Sequence, residues 1–130
     1  IGDEELMSGA IRVRKIFGGG MRQAGYLAAA ASYALENNFE RLVEDHNKAI
    51  ELGQILGELP FIKTVEPTET NIIIFELAPQ VNEVEFYSSL EGQGIKIIGM
   101  GSNKLRMVTH LDYSDDMHAY VKTVLRAMKF

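Results

Sequence analysis

Asn71-Ile72-Ile73-Ile74-Phe75-Glu76-Leu77 is an unbroken β-branched and aromatic run, the composition of a strand with neighbours on both sides. Just upstream, Phe61 to Glu66 reads as a second strand, and Pro67-Thr68-Glu69 turns the chain between the two. Downstream, Asn82 and Glu85 have the spacing of a helix start; the helix carries Val84, Phe86 and Leu90 inward and stops near Gly92 or Gly94. Ile95 to Ile98 is a short strand, Gly99-Met100-Gly101-Ser102-Asn103 a loop, and Lys104 to Thr109 a final strand. Ser114 caps the last helix, with Asp115 and Asp116 in its first turn and Met117, Val121, Val124 and Met128 as its inward stripe. The order past Pro60 is β-β-α-β-β-α. Two helices over one face of a mainly antiparallel sheet make a stable two-layer unit.

Pro60 marks the sharpest change of pattern. Before it, Asn37 and Glu40 are spaced as a capping box and open a third helix of about 20 residues, with Leu42, Ala49, Leu52, Leu56 and Leu59 on its buried side. His46 lies on this helix beside Glu44 and Asp45; with no second ligand one turn away, it reads as a solvated histidine rather than a metal ligand. Further upstream, Met21 to Glu36 is an alanine-rich helix, small and apolar nearly all round. Such a helix is buried or closely packed, so the expectation is a partner outside this chain, either a further domain or a second subunit. The first helix is capped by Asp3, with Glu4 and Glu5 in its first turn and a stripe of Leu6, Ala10, Val13 and Phe17.

Between the first two helices runs Arg14-Lys15-Ile16-Phe17-Gly18-Gly19-Gly20-Met21-Arg22-Gln23-Ala24-Gly25. Consecutive glycines permit positive φ and close approach. Lys15 and Arg22 bracket them next to a helix start, where unpartnered amides and the positive dipole end favour an anion. A glycine-rich connector with exposed cations and no ligand is the competing reading. On the last strand, period-two alternation sets Leu105, Met107 and Thr109 on one face and Arg106, Val108 and His110 on the other. A strand arginine among apolar residues needs a partner: either a carboxylate of this protein, or a ligand carboxylate held bidentately by the planar guanidinium.

The net charge of −5 at pH 7 gives no general basic surface and argues against nucleic-acid binding. With no cysteine there is no disulfide, thiol nucleophile or cysteine metal site, a composition that suits a reducing compartment. No apolar run approaches the roughly 20 residues of a membrane span. The opening Ile1-Gly2-Asp3-Glu4-Glu5 shows neither an initiator methionine nor a signal-peptide pattern, which leads us to expect a piece of a longer protein. There is no nucleophile elbow, no metal-ligand helix and no nucleotide-type phosphate loop.

The Arg14–Gly25 motif resembles the signature of low-specificity L-threonine aldolases, pyridoxal-phosphate enzymes of the aspartate-aminotransferase-like fold. Arg41-Leu42-Val43-Glu44-Asp45-His46, Thr70-Asn71-Ile72-Ile73-Ile74 and Leu105-Arg106-Met107-Val108-Thr109-His110 are similar to further segments of that family. The resemblance covers nearly all of the chain. It implies an α/β fold, α+β when this portion is taken alone: residues 1–37 the end of the cofactor-binding large domain, and residues 38–130 the C-terminal small domain, including a linking helix at 38–59. It implies cleavage of L-threonine or its allo isomer to glycine and acetaldehyde, in a cytoplasmic homotetramer with sites shared between subunits. It places Lys15 and Arg22 near the cofactor phosphate and Arg106 on the substrate α-carboxylate. The family's cofactor-bonding lysine, ring-stacking residue and acid for the ring nitrogen fall upstream; none of the lysines here matches, so no catalytic residue is expected in this chain and it should be inactive alone. Two alternatives stand beside this: another pyridoxal-phosphate enzyme of the same fold, a β-eliminating lyase or an aminotransferase, or a non-catalytic module that binds an acidic ligand.

Overall fold

A computed structural model describes residues 2–130. The chain divides into two compact units, Ile1–Phe39 and Glu40–Phe130.

The first unit holds α1 (Glu4–Ile16) and α2 (Gly25–Asn37). Asp3 caps α1 as expected, its carboxylate accepting from the Leu6 amide at 2.8 Å. α2 begins at Gly25 rather than Met21, because Gln23 takes a left-handed backbone (φ 51°) that no helix accommodates. Neither helix buries a residue. Phe17, Tyr26, Leu27 and Leu35 all stay exposed.

The second unit holds α3 (Leu42–Glu58), β1 (Ile62–Val65), β2 (Ile72–Leu77), α4 (Glu83–Gly92), β3 (Ile98–Gly101), β4 (Lys104–Val108) and α5 (Asp115–Ala127). After α3, the order is the expected β-β-α-β-β-α. The strands form one antiparallel sheet in the order β1-β2-β4-β3, so β2 is an inner strand. Alternation puts Ile73, Phe75 and Leu77 of β2, with Leu105 and Met107 of β4, on the core face. Ala49, Leu52, Ile55 and Leu56 of α3, Phe86 and Leu90 of α4, and Val121 and Leu125 of α5 close over it. Phe86 is fully buried and meets Phe61, Phe75 and Phe130 with ring centroids 6.1, 6.1 and 5.3 Å away.

Several local expectations are corrected. Asn37 does not box the start of α3: it is the last residue of α2, its amide nitrogen donating to the Tyr33 carbonyl at 2.9 Å. The α3 start is held instead by Arg41, which grips Asp45 bidentately at 3.0 and 2.9 Å, while Leu42 is exposed. β3 starts at Ile98, not Ile95, because the Ile95 amide is consumed by the end of α4, donating to the Leu90 carbonyl at 2.9 Å after Gly94 turns left-handed at φ 76°. Gly99 to Gly101 consequently belong to that strand, and the turn to β4 is Ser102-Asn103, both left-handed (φ 54° and 60°). Met117 and Val84 are exposed; on α5 the inward position goes to His118, which finds polar partners against α3.

Candidate functional site

The glycine motif closes α1 as a Schellman cap. The Gly19 amide donates to the Arg14 carbonyl at 2.8 Å and the Gly18 amide to the Lys15 carbonyl at 3.2 Å. Gly18 has φ 80°, and a Cβ on Gly19 would fall 2.8 Å from Arg14 Cγ and 3.1 Å from the Arg14 carbonyl oxygen. Cap geometry therefore accounts for two of these glycines without a ligand. It also fixes what surrounds them. Lys15 lies in the last turn of α1 and Arg22 in the turn before α2, both exposed. Neither makes an ion pair or side-chain hydrogen bond among the described residues. The N-cap of α2 is Ala24, which offers no side-chain bond, and the first turn holds no acid. The positive end of α2 is thus left without a protein anion, which fits a phosphate beside Arg22.

Arg106 belongs to the second unit, on the sheet face opposite the core. Its cross-strand partners are Ile74 of β2 and Ile98 of β3, so apolar side chains flank it on both sides. Its Nε is buried and has no hydrogen-bond partner. No carboxylate of the described residues pairs with it, although acids are near. Glu76 lies diagonally across the ladder, opposite Lys104, and its carboxylate takes Lys63 Nζ at 2.8 Å. Glu66, whose amide donates to the Ile74 carbonyl, takes Lys104 Nζ at 2.8 Å. The Lys63 hydrogen bond lowers the Glu76 pKa, and the Glu66 hydrogen bond raises that of Lys104. Of the two partners open to a strand arginine, no carboxylate among the described residues takes the role.

The anchor at the end of the strand that carries Arg106 was not evident from sequence. Thr109, fully buried just past β4, donates from Oγ1 to the Asp45 carbonyl at 2.7 Å. Asn71 donates from Nδ2 to the Thr109 carbonyl at 2.7 Å, and the Thr109 amide returns to Asn71 at 3.0 Å. These bonds fix the ends of β2 and β4 against α3, and with them the height of Arg106 on the sheet. The signal was the polar residue ending each apolar strand, Asn71 and Thr109, where a bond to structure is the default use. His46 is partly exposed with no hydrogen bond among the described residues. Among those residues there is no group of three or more acids or histidines placed for a metal ion, and no helix is long and apolar enough to cross a membrane.

Taken by itself, the second unit is a mixed two-layer fold with the Arg106 guanidinium on its open sheet face; the first, by itself, is a helix pair in which the start of α2 has no side-chain cap and exposed cations precede it. The chain belongs to the beta-eliminating lyase family, whose family model matches residues 1–80. It is similar to the low specificity L-threonine aldolase of Escherichia coli (strain K12), 37% identical over 127 residues covering 98% of this chain and 37% of that protein. The probable low-specificity L-threonine aldolase 2 of Arabidopsis thaliana is 36% identical over 124 residues, 93% of this chain and 35% of that one. The probable low-specificity L-threonine aldolase of Schizosaccharomyces pombe is 31% identical over 126 residues, 97% of this chain and 31% of that one. The chain thus spans about a third of the length of these curated relatives. A solved decarboxylase from Sulfurospirillum multivorans shares the fold, with a TM-score of 0.50 at 14% identity over 62% of this chain and 24% of that one. The family and its threonine-aldolase relatives depend on pyridoxal phosphate.

Proposed function

We propose that this chain is the C-terminal portion of a pyridoxal-phosphate-dependent lyase that cleaves L-threonine or L-allo-threonine to glycine and acetaldehyde. Residues 1–37 would end the large domain and residues 38–130 form the small one. The observation that carries the reading is Arg106: a part-buried guanidinium with an orphaned Nε, while Lys63 and Lys104 hold the acids around it. It binds the substrate α-carboxylate, and that grip fixes the amino acid's orientation and so which bond at Cα is presented for cleavage. Lys15 and Arg22 hold the cofactor phosphate, Arg22 beside the uncapped start of α2. Pyridoxal phosphate, when bound, supplies the electron sink that lets the Cα–Cβ bond break. The exposed apolar side chains of α1 and α2 support a protein that assembles with copies of itself, here a cytoplasmic homotetramer whose sites are shared between subunits. This portion alone is inactive.

The test uses the full-length protein. Arg106→Ala should raise KM for L-threonine at least tenfold, the loss expected of a charge-assisted pair, and lower kcat/KM with it. Unchanged kinetics would remove Arg106 from the site. The family match favours one second reading, β-elimination. Threonine would then give 2-oxobutanoate and ammonia, so assaying those products against glycine and acetaldehyde separates the two.

A further inference from the structure

The β1–β2 ladder carries an irregularity whose placement bears on Arg106. Ile62 pairs with Leu77 and Thr64 with Glu76, and the register shifts between them, so Lys63 is an extra residue on β1. Such bulges redirect a side chain. Here the redirected side chain is Lys63, and its Nζ lies 2.8 Å from Glu76 Oε1. Glu76 is the acid on β2, the strand that pairs with β4, and stands opposite Lys104. It sits on the open face of β2, two residues from Ile74, the cross-strand partner of Arg106. Diagonal neighbours on a ladder lie about 7–8 Å apart, within reach of long side chains. Yet Arg106 has no carboxylate partner among the described residues.

We propose that the β1 bulge and Lys63 act as a shield: they hold Glu76 so that it cannot satisfy Arg106, and thereby keep the guanidinium available to an α-amino-acid carboxylate. Lys104 does the same for Glu66. Lys63 is then a positioning residue for substrate affinity that touches neither substrate nor cofactor. The inference rests on the carboxylate role of Arg106.

In the full-length holoenzyme, Lys63→Met releases Glu76 to compete for Arg106. KM for L-threonine, and the dissociation constant for glycine measured by calorimetry, should both rise about three- to fivefold, the span of a part-exposed ion pair, with kcat unchanged. Adding Glu76→Gln to Lys63→Met should restore both constants, and Lys63→Arg should leave them as they were. A merely structural role for Lys63 would not be rescued by deleting its partner. Unchanged affinity in Lys63→Met, or no recovery in the double variant, overturns the shield. Arg106→Ala is the reference: if it raises KM while Lys63→Met does not, only the shield falls, whereas no rise in Arg106→Ala overturns the carboxylate grip itself.

Discussion

Glu51→Gln tests the clasp between α3 and α5. Glu51 accepts from Lys122 Nζ through one oxygen at 2.7 Å and from His118 Nε2 through the other at 2.7 Å. His118 Nδ1 in turn meets the Tyr113 hydroxyl at 3.3 Å. Burial, followed by the Glu51 charge, pushes that phenol up to about 12. The Lys122 hydrogen bond first, and the His118 bond second, pull the Glu51 carboxyl from its ordinary 4.5 down to about 2. At full strength a drop of that size corresponds to about 3.4 kcal/mol. The Glu51 side chain is 46% exposed, so solvent screening brings it to about 1 kcal/mol. Because the folded-state value is depressed, this stability is fully present above the unfolded value near 4.5 and is lost as pH falls toward about 2. Glutamine cannot ionise and lacks it throughout. Urea unfolding of the two proteins should therefore differ by about 1 kcal/mol at pH 6–7 in low salt. The gap should close as pH falls through that window, and narrow in 1 M salt. A gap that persisted at pH 2.5, or one indifferent to salt, would refute the electrostatic account.

Two further variants test the packing of the same unit. Phe86→Ala empties the centre of the aromatic cluster and should cost roughly 3–5 kcal/mol, read as a fall in the urea midpoint; a cost below 1 kcal/mol would mean that the cluster is not the centre of the core. Gly94→Ala places a side chain at φ 76° where nothing stands within 4 Å of the new Cβ; its cost of about 1–2 kcal/mol is backbone strain alone, so Gly94→Asn should be milder, and equal losses in the two would contradict that.

What could be read in advance was whatever depends on near neighbours along the chain. Asp3, Asn82 and Ser114 cap helices because a short acceptor reaches amides two or three residues on. The alternation of β4 follows from the pleat alone, and it placed Arg106 away from the core. The errors lie where tertiary partners outbid local preference. Ile95 looks like a strand residue, but its amide completes the end of α4. His118 looks less suited than Met117 to an inward position, yet Glu51 and Tyr113 give its ring two polar partners. The Ser102-Asn103 turn carries no glycine at its two left-handed positions, so nothing in the chain announced that β3 reaches Gly101.

The availability of Arg106 was illegible for a related reason. Whether a strand arginine is free depends on how nearby acids are shared among nearby cations, and that sharing is settled by register. Glu76 is only two residues along β2 from Ile74, so alternation alone would have predicted an internal pair. A single extra residue on β1 changes the outcome by bringing Lys63 onto Glu76. The same argument explains why the apolar flanks matter. Ile74 and Ile98 offer Arg106 no acceptor, and a part-desolvated guanidinium gains more from a carboxylate than one in open water. Bulge, flanking isoleucines and engaged acids thus bear on one quantity, the free energy that remains for a ligand to release.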